Sequence, residues 1–170
     1  GIRPTHGKLS LEGVIPLAPS FDTIGWMSTS SKHLLQVGEV LYKDDAIHSF
    51  ERLLIDEQAW SFLSPQNREK LLKEIPSDLP QQTKAITQSL VDWATLFRYI
   101  QGVEIWETHG EWIITAKPVF APAIAERFEW THTLDSSTYE QAKQKQSDIT
   151  AYLQNQLAVT DLLVIPTTAS

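Results

Sequence analysis

The sequence predicts an α/β protein whose sheet is covered on both faces. Two short apolar runs, Leu53-Leu54-Ile55 and Leu162–Ile165, lack polar alternation, as strands buried on both sides do. Helical patterns surround them, chiefly over Thr83–Thr115 and Tyr139–Leu157. Strands interleaved with helices in one chain build a layered sandwich.

Taken in order, Gly1–Met27 is punctuated by Gly1, Gly7, Gly13 and Gly25 and stiffened by Pro4, Pro16 and Pro19. Gly admits backbone angles other residues resist, and Pro removes a donor, so the stretch reads as strand, turn, strand and loop at a sheet edge. Lys32–Tyr42 follows several hydroxyl N-cap candidates (Ser28 to Ser31) and spaces Leu34, Leu35, Val37, Val40 and Leu41 as a short amphipathic helix. Phe50–Ile55 reads as a buried strand stopped by Asp56 and Glu57. Ser64-Pro65 starts a helix over Asn67–Ile75, with Pro at the tolerated first turn, and Pro76 and Pro80 form the loop beyond it.

Thr83–Thr115 is the longest helical pattern, with Leu90, Trp93, Phe97, Ile100 and Val103 on one face. Val91, Ala94, Ile105 and Trp106 make much of the rest apolar, which predicts a helix between layers. Gly102 is expected to mark close packing and Gly110 a bend or interruption. Pro118 and Pro122 bound a loop, and Ala123–Phe128 reads as a short helix. Asp135-Ser136-Ser137 caps Tyr139–Leu157, and Pro166 stops the strand Leu162–Ile165.

Composition narrows the function. A chain of 170 residues can bury a core, and 42% hydrophobic with 21% charged residues is ordinary for a globular domain. A net charge of −7 disfavours nucleic acid and anionic membrane as partners. The absence of cysteine removes disulfides, thiolate metal sites and thiol nucleophiles, and no apolar run approaches the ~20 residues of a membrane span. A cytoplasmic location is the expectation.

Several segments together resemble one family. Gly1–Gly7 (GIRPTHG), Gly13–Pro16 (GVIP) and Ser20–Trp26 (SFDTIGW) are followed by Phe97–Trp112, Ala123–Trp130 and Leu162–Thr168. In this order they resemble the amidase signature family, near the indoleacetamide hydrolase type. The strand Arg52–Ile55 with an acidic residue after it is similar too. The resemblance implies an α/β/α layered fold with a mixed sheet, incomplete over residues 1–170, which would form a single partial domain. It implies conversion of a carboxamide to a carboxylate and ammonia. In that family a Lys, a bridging Ser in a cis peptide and a nucleophilic Ser form an acyl-enzyme, and all three precede the Gly-Ile-Arg-Pro run. This chain is therefore expected to be a middle-to-C-terminal segment without catalytic residues, inactive in isolation. Lys8 stands where the family has Arg, and Met27-Ser28-Thr29 replaces its Phe/Met-Ala-Arg.

The resemblance sets Phe21, Asp22, Thr23 and Trp26 beside the cleft as candidate substrate-binding residues. Phe21 and Trp26 would wall an aromatic acyl group. Ser20 and Asp22 equally suit a turn held by side-chain-to-backbone hydrogen bonds. Ser30-Ser31 lies in no Gly-rich turn, and helix capping accounts for it better than nucleophilic chemistry does. His6, His33, His48, His109 and His132 show no ligand spacing, so no metal is expected. Glu104, Glu107 and Glu111 read as a solvated helix stripe, with His109 beside Glu111 as a polar contact between layers. Trp93, Tyr99, Trp106 and Trp112 read as core aromatics, and no cofactor is expected.

The expected partners are a small amide substrate in the full-length enzyme, a second copy or a missing N-terminal half, paired through open sheet edges. The competing reading is a non-catalytic structural or interaction module derived from an amidase.

Overall fold

A computed structural model describes residues 1–42, 49–84 and 86–168; His48 lies outside them. The chain folds into two compact units, Gly1–Ala46 with Leu96–Lys143, and Ile47–Thr95 with Gln144–Ser170.

The second unit holds the sheet. Strands β1 (Arg52–Asp56), β2 (Gln81–Lys84) and β3 (Asp161–Val164) are parallel in the order β2-β1-β3. The central strand is the most buried, with Leu53, Leu54 and Asp56 inside, as a strand flanked on both sides is. β2 is an unforeseen strand. Gln81-Gln82-Thr83 carries no apolar pattern, and Thr83 and Lys84 fall where a helix was expected. Edge pairing holds it, aided by the Leu53 N–H donating to the Pro80 carbonyl (2.9 Å). Antiparallel pairing occurs among the described residues as an isolated bridge, Ile2 with Trp26. The expected strands of Gly1–Met27 are therefore turns and loop, because the Pro residues withhold donors a ladder needs.

β1 runs directly into α2 (Glu57–Ser61). The fully buried Asp56 caps that helix, accepting from the Ala59 N–H (2.7 Å) and, across the unit, from the Ile86 N–H (2.8 Å). Trp60, buried, donates its indole N–H to the Val164 carbonyl (2.8 Å) and ties α2 to β3. Arg52 grips Asp161 with two bonds of 2.7 and 2.8 Å, clamping the starts of β1 and β3. α3 (Pro65–Lys73) begins at Ser64, whose hydroxyl accepts from the Asn67 N–H. α4 (Leu90–Ala116) begins in this unit. Gln58 accepts from the Leu90 N–H (2.6 Å) while donating to the Ile86 and Gln88 carbonyls, which serves the donors a helix start leaves open.

The first unit contains α1 (Ser31–Leu41), most of α4 and α5 (Pro122–His132). Ser30 occupies the N-cap position of α1 but makes no side-chain cap; its N–H donates to the Ser28 hydroxyl instead (3.1 Å). Trp26 donates to the Leu34 carbonyl (3.0 Å), seating the Gly1–Met27 segment on α1. α4 is buried at Ile100, Gly102, Val103, Glu104 and Gly110. A Cβ at Gly102 would lie 2.5 Å from Leu134 and 2.8 Å from the Trp130 ring, so the expected close packing is present. Gly110 does not interrupt the helix; it makes room for the Trp106 ring one turn earlier, where a Cβ would lie 2.8 Å away. Nor is α4 enclosed all round, since Trp112 and Ile114 are half exposed, Ile114 beside an open cleft. Asp135 caps a short 3-10 turn, Ser136–Thr138, through Ser137, and α6 (Tyr139–Gln156) continues from it.

Candidate functional site

The Pro16–Trp26 segment is a loop pinned at many points. Asp22 accepts from the Leu17 N–H (2.9 Å) and the Ala18 N–H (3.1 Å), and the Phe21 and Asp22 amides return to the Ala18 carbonyl. That is an Asx-type turn, in which a short carboxylate replaces backbone partners. Arg3 donates to the Phe21 carbonyl (3.0 Å), His6 to the Pro19 carbonyl (2.8 Å) and His109 to the Pro16 carbonyl (2.8 Å). His109 thus serves the loop rather than Glu111. Phe21 meets Phe97 edge-on at 4.7 Å, and Trp26 lies against α1 with its ring centroid 6.2 Å from that of Tyr42. Thr23 is partly exposed on the same loop.

Under this loop lies a node that sequence reasoning missed. Glu104 is only 4% exposed, so it is not part of a solvated stripe; Glu107 and Glu111 are exposed. Its carboxylate accepts the Ser20 N–H (2.9 Å), the Ser20 hydroxyl and the Tyr139 hydroxyl (2.6 Å). Lys143, one turn after Tyr139 on α6, donates to the Ser20 oxygen (2.5 Å). Burial, then the Glu104 carboxylate, pushes the Tyr139 phenol up to about 12. A buried carboxylate is tolerable only when donors converge on it, and here three do. Glu104 shares its i+3 and i+4 spacing with Glu107 and Glu111, so no local pattern marks it as the buried one.

The Ser20 hydroxyl is held between the Glu104 carboxylate and Lys143 Nζ. The Ser20 N–H, which could otherwise serve a developing oxyanion, is spent on Glu104. The arrangement fixes the loop.

A second feature is an apolar cleft of about 310 Å³, lined by Trp106, Ile113, Ile114, Phe120, Phe128 and neighbouring residues. His132 stacks on Trp106 with centroids 4.2 Å apart, and Phe120 meets Phe128 at 4.7 Å. Among the described residues no three His, Asp or Glu side chains group as a metal site.

No family model matches the chain. A crystal structure of an amidase superposes with a TM-score of 0.83 and 19% identity, over 99% of this chain and 40% of that one. Amidase 1 of Arabidopsis thaliana is 27% identical over 203 residues, 98% of this chain and 48% of the relative. The chain is amidase-like.

A further relative of this amidase-like chain is Translocon at the outer membrane of chloroplasts 64 of Pisum sativum, 27% identical over 201 residues, 99% of the chain and 34% of the relative. The amidase-like chain thus spans about half the length of Amidase 1 and a third of the translocon protein. Phe21, Asp22, Thr23 and Trp26 share one loop in it. The short polar strand β2, the Glu104 node and the aromatic cleft were not foreseen.

Proposed function

We propose that this amidase-like chain is the scaffold portion of an amidohydrolase that converts a carboxamide to a carboxylate and ammonia through an acyl-serine intermediate. Phe21, Asp22, Thr23 and Trp26 form its substrate-facing loop, with Asp22 and Trp26 acting through the loop's shape. This reading assigns the reactive Lys and Ser roles to no residue of Gly1–Ser170. The sequence match of 98% of the chain to Amidase 1 of Arabidopsis thaliana carries this reading, and the fold shared with an amidase agrees with it. The location is cytoplasmic in this reading; no described helix is long and apolar enough to cross a membrane.

The purified chain, given a panel of small and aryl-acetic carboxamides, releases no ammonia above a blank. Turnover by the chain alone defeats the inactive-scaffold reading. Supplying a segment that carries the Lys and both Ser residues restores ammonia release.

The translocon relative favours a second reading, a non-catalytic interaction module. Tight pairing with the supplied segment without any ammonia release decides for it. Self-association through the outer edges of β2 and β3 belongs to either reading, and sedimentation shows it as a mass that rises with concentration.

A further inference from the structure

The candidate loop has two sets of attachments, and they differ in kind. The first is made with α4 and α1. Ser20 is bonded to the 4% exposed Glu104, Phe21 meets the Phe97 ring, and the Trp26 indole donates to the Leu34 carbonyl. Asp22 closes the loop's own turn on the buried Ala18. None of these contacts involves residues 1–7.

Residues 1–7 make the second set. Ile2 and Trp26 exchange backbone hydrogen bonds of 2.8 and 3.1 Å, Arg3 donates to the Phe21 carbonyl and His6 to the Pro19 carbonyl. All four are polar, and the Arg3 and His6 bonds are exposed. Pro4 is the one buried residue of the seven. A segment that buries so little, through bonds that water can replace, opens well below the free energy of global unfolding.

Gly25 shows how closely the segment is seated. A Cβ there would lie 2.7 Å from the Ile2 carbonyl oxygen, and its three nearest heavy atoms all belong to Ile2 and Arg3. Gly25 has no positive φ, so an alanine suits the backbone of the loop and collides with residues 1–7.

We propose that residues 1–7 form a strap that opens from the candidate loop as a unit, with Arg3 and His6 as the positioning residues that hold it closed. Opening takes partners from the Pro19 and Phe21 carbonyls and from both backbone groups of Trp26, while Ser20, the Phe21 ring and the Trp26 indole keep theirs. Its consequence for substrate rests on the reading of Phe21, Asp22, Thr23 and Trp26 as substrate-facing.

Amide hydrogen exchange of the full chain, followed residue by residue by NMR, tests this. The Ile2 and Trp26 amides are expected to share one level of protection, about tenfold or more below that of Ile100 inside α4. Arg3→Ala with His6→Ala raises exchange at Ile2 and Trp26 together by about tenfold or more and leaves the Ser20 and Ile100 amides unchanged. Arg3→Lys with His6→Gln keeps a donor at each place and restores most of the protection. Gly25→Ala displaces the strap without altering its side chains and gives the same pattern as the double alanine variant; it also serves should that variant not fold. The proposal is overturned if Ile2 and Trp26 exchange as slowly as Ile100, since the segment then leaves only on global unfolding. It is overturned equally if the folded variants exchange like the parent, or if Ser20 is deprotected along with Trp26, since the segment is then an integral part of the loop. No readout involves ammonia release. Failure here leaves the amidohydrolase reading standing, and failure of that reading leaves a strap without a substrate role.

Discussion

Glu104 and Ser20, 84 residues apart, are joined twice, by the Ser20 backbone N–H at 2.9 Å and by its hydroxyl. With Tyr139 and Lys143 the pair binds the candidate loop to α4 and the start of α6. Glu104→Ala takes the acceptor from the Ser20 N–H, the Ser20 hydroxyl and the Tyr139 hydroxyl together. The expected loss is about 3 kcal/mol by urea denaturation. Glu104→Gln keeps one acceptor oxygen but turns an amide toward a donor, so about half that loss is expected. Equal stability of parent and Glu104→Ala would show that the node contributes nothing.

Tyr139 gives the node a pH signature. Its phenol is raised to about 12, by burial and by Glu104, from the ordinary 10.0. A raised acid favours its neutral form in the folded state. Its contribution is complete below pH 10 and is lost as pH rises toward 12. Tyr139→Phe should flatten the fall in stability over that window relative to the parent. Parallel stability curves for the two proteins would count against the coupling.

Trp60 joins α2 to β3 through the Val164 carbonyl at 2.8 Å and is 2% exposed. Trp60→Phe preserves much of the apolar volume and leaves that carbonyl without its donor. A loss of about 1–2 kcal/mol is expected, read as an earlier urea midpoint. Leu54→Ala, at a 1% exposed site on the central strand, should cost more, about 3 kcal/mol.

Lys117 holds a left-handed backbone that a side chain resists. Lys117→Gly relieves the clash and should raise stability by about 0.5–1 kcal/mol, net of glycine's greater unfolded freedom. A lower thermal midpoint would mean the lysine side chain contributes more to the fold than its backbone costs.

The strands β1 and β3 and the helices α1, α3, α4 and α6 were all legible in the linear pattern, because each has an apolar run, an apolar stripe or a capping residue of its own. The resemblance of the Gly1–Trp26 motifs to amidases was equally a property of the sequence, and the shared fold agrees with it.

Other features were settled by residues distant in the chain. β2 is polar and exists by pairing with Leu53–Asp56, which no local pattern encodes. Glu104 belongs to a helix rich in spaced acids, and only the arrival of Ser20 and Tyr139 turned one acid of that stripe inward. The amino-acid order by itself determined where backbone and side-chain preferences repeat, since those act within a few residues. The tertiary structure alone decided which polar groups were buried, since burial of a charge depends on which donors the folded chain brings to it.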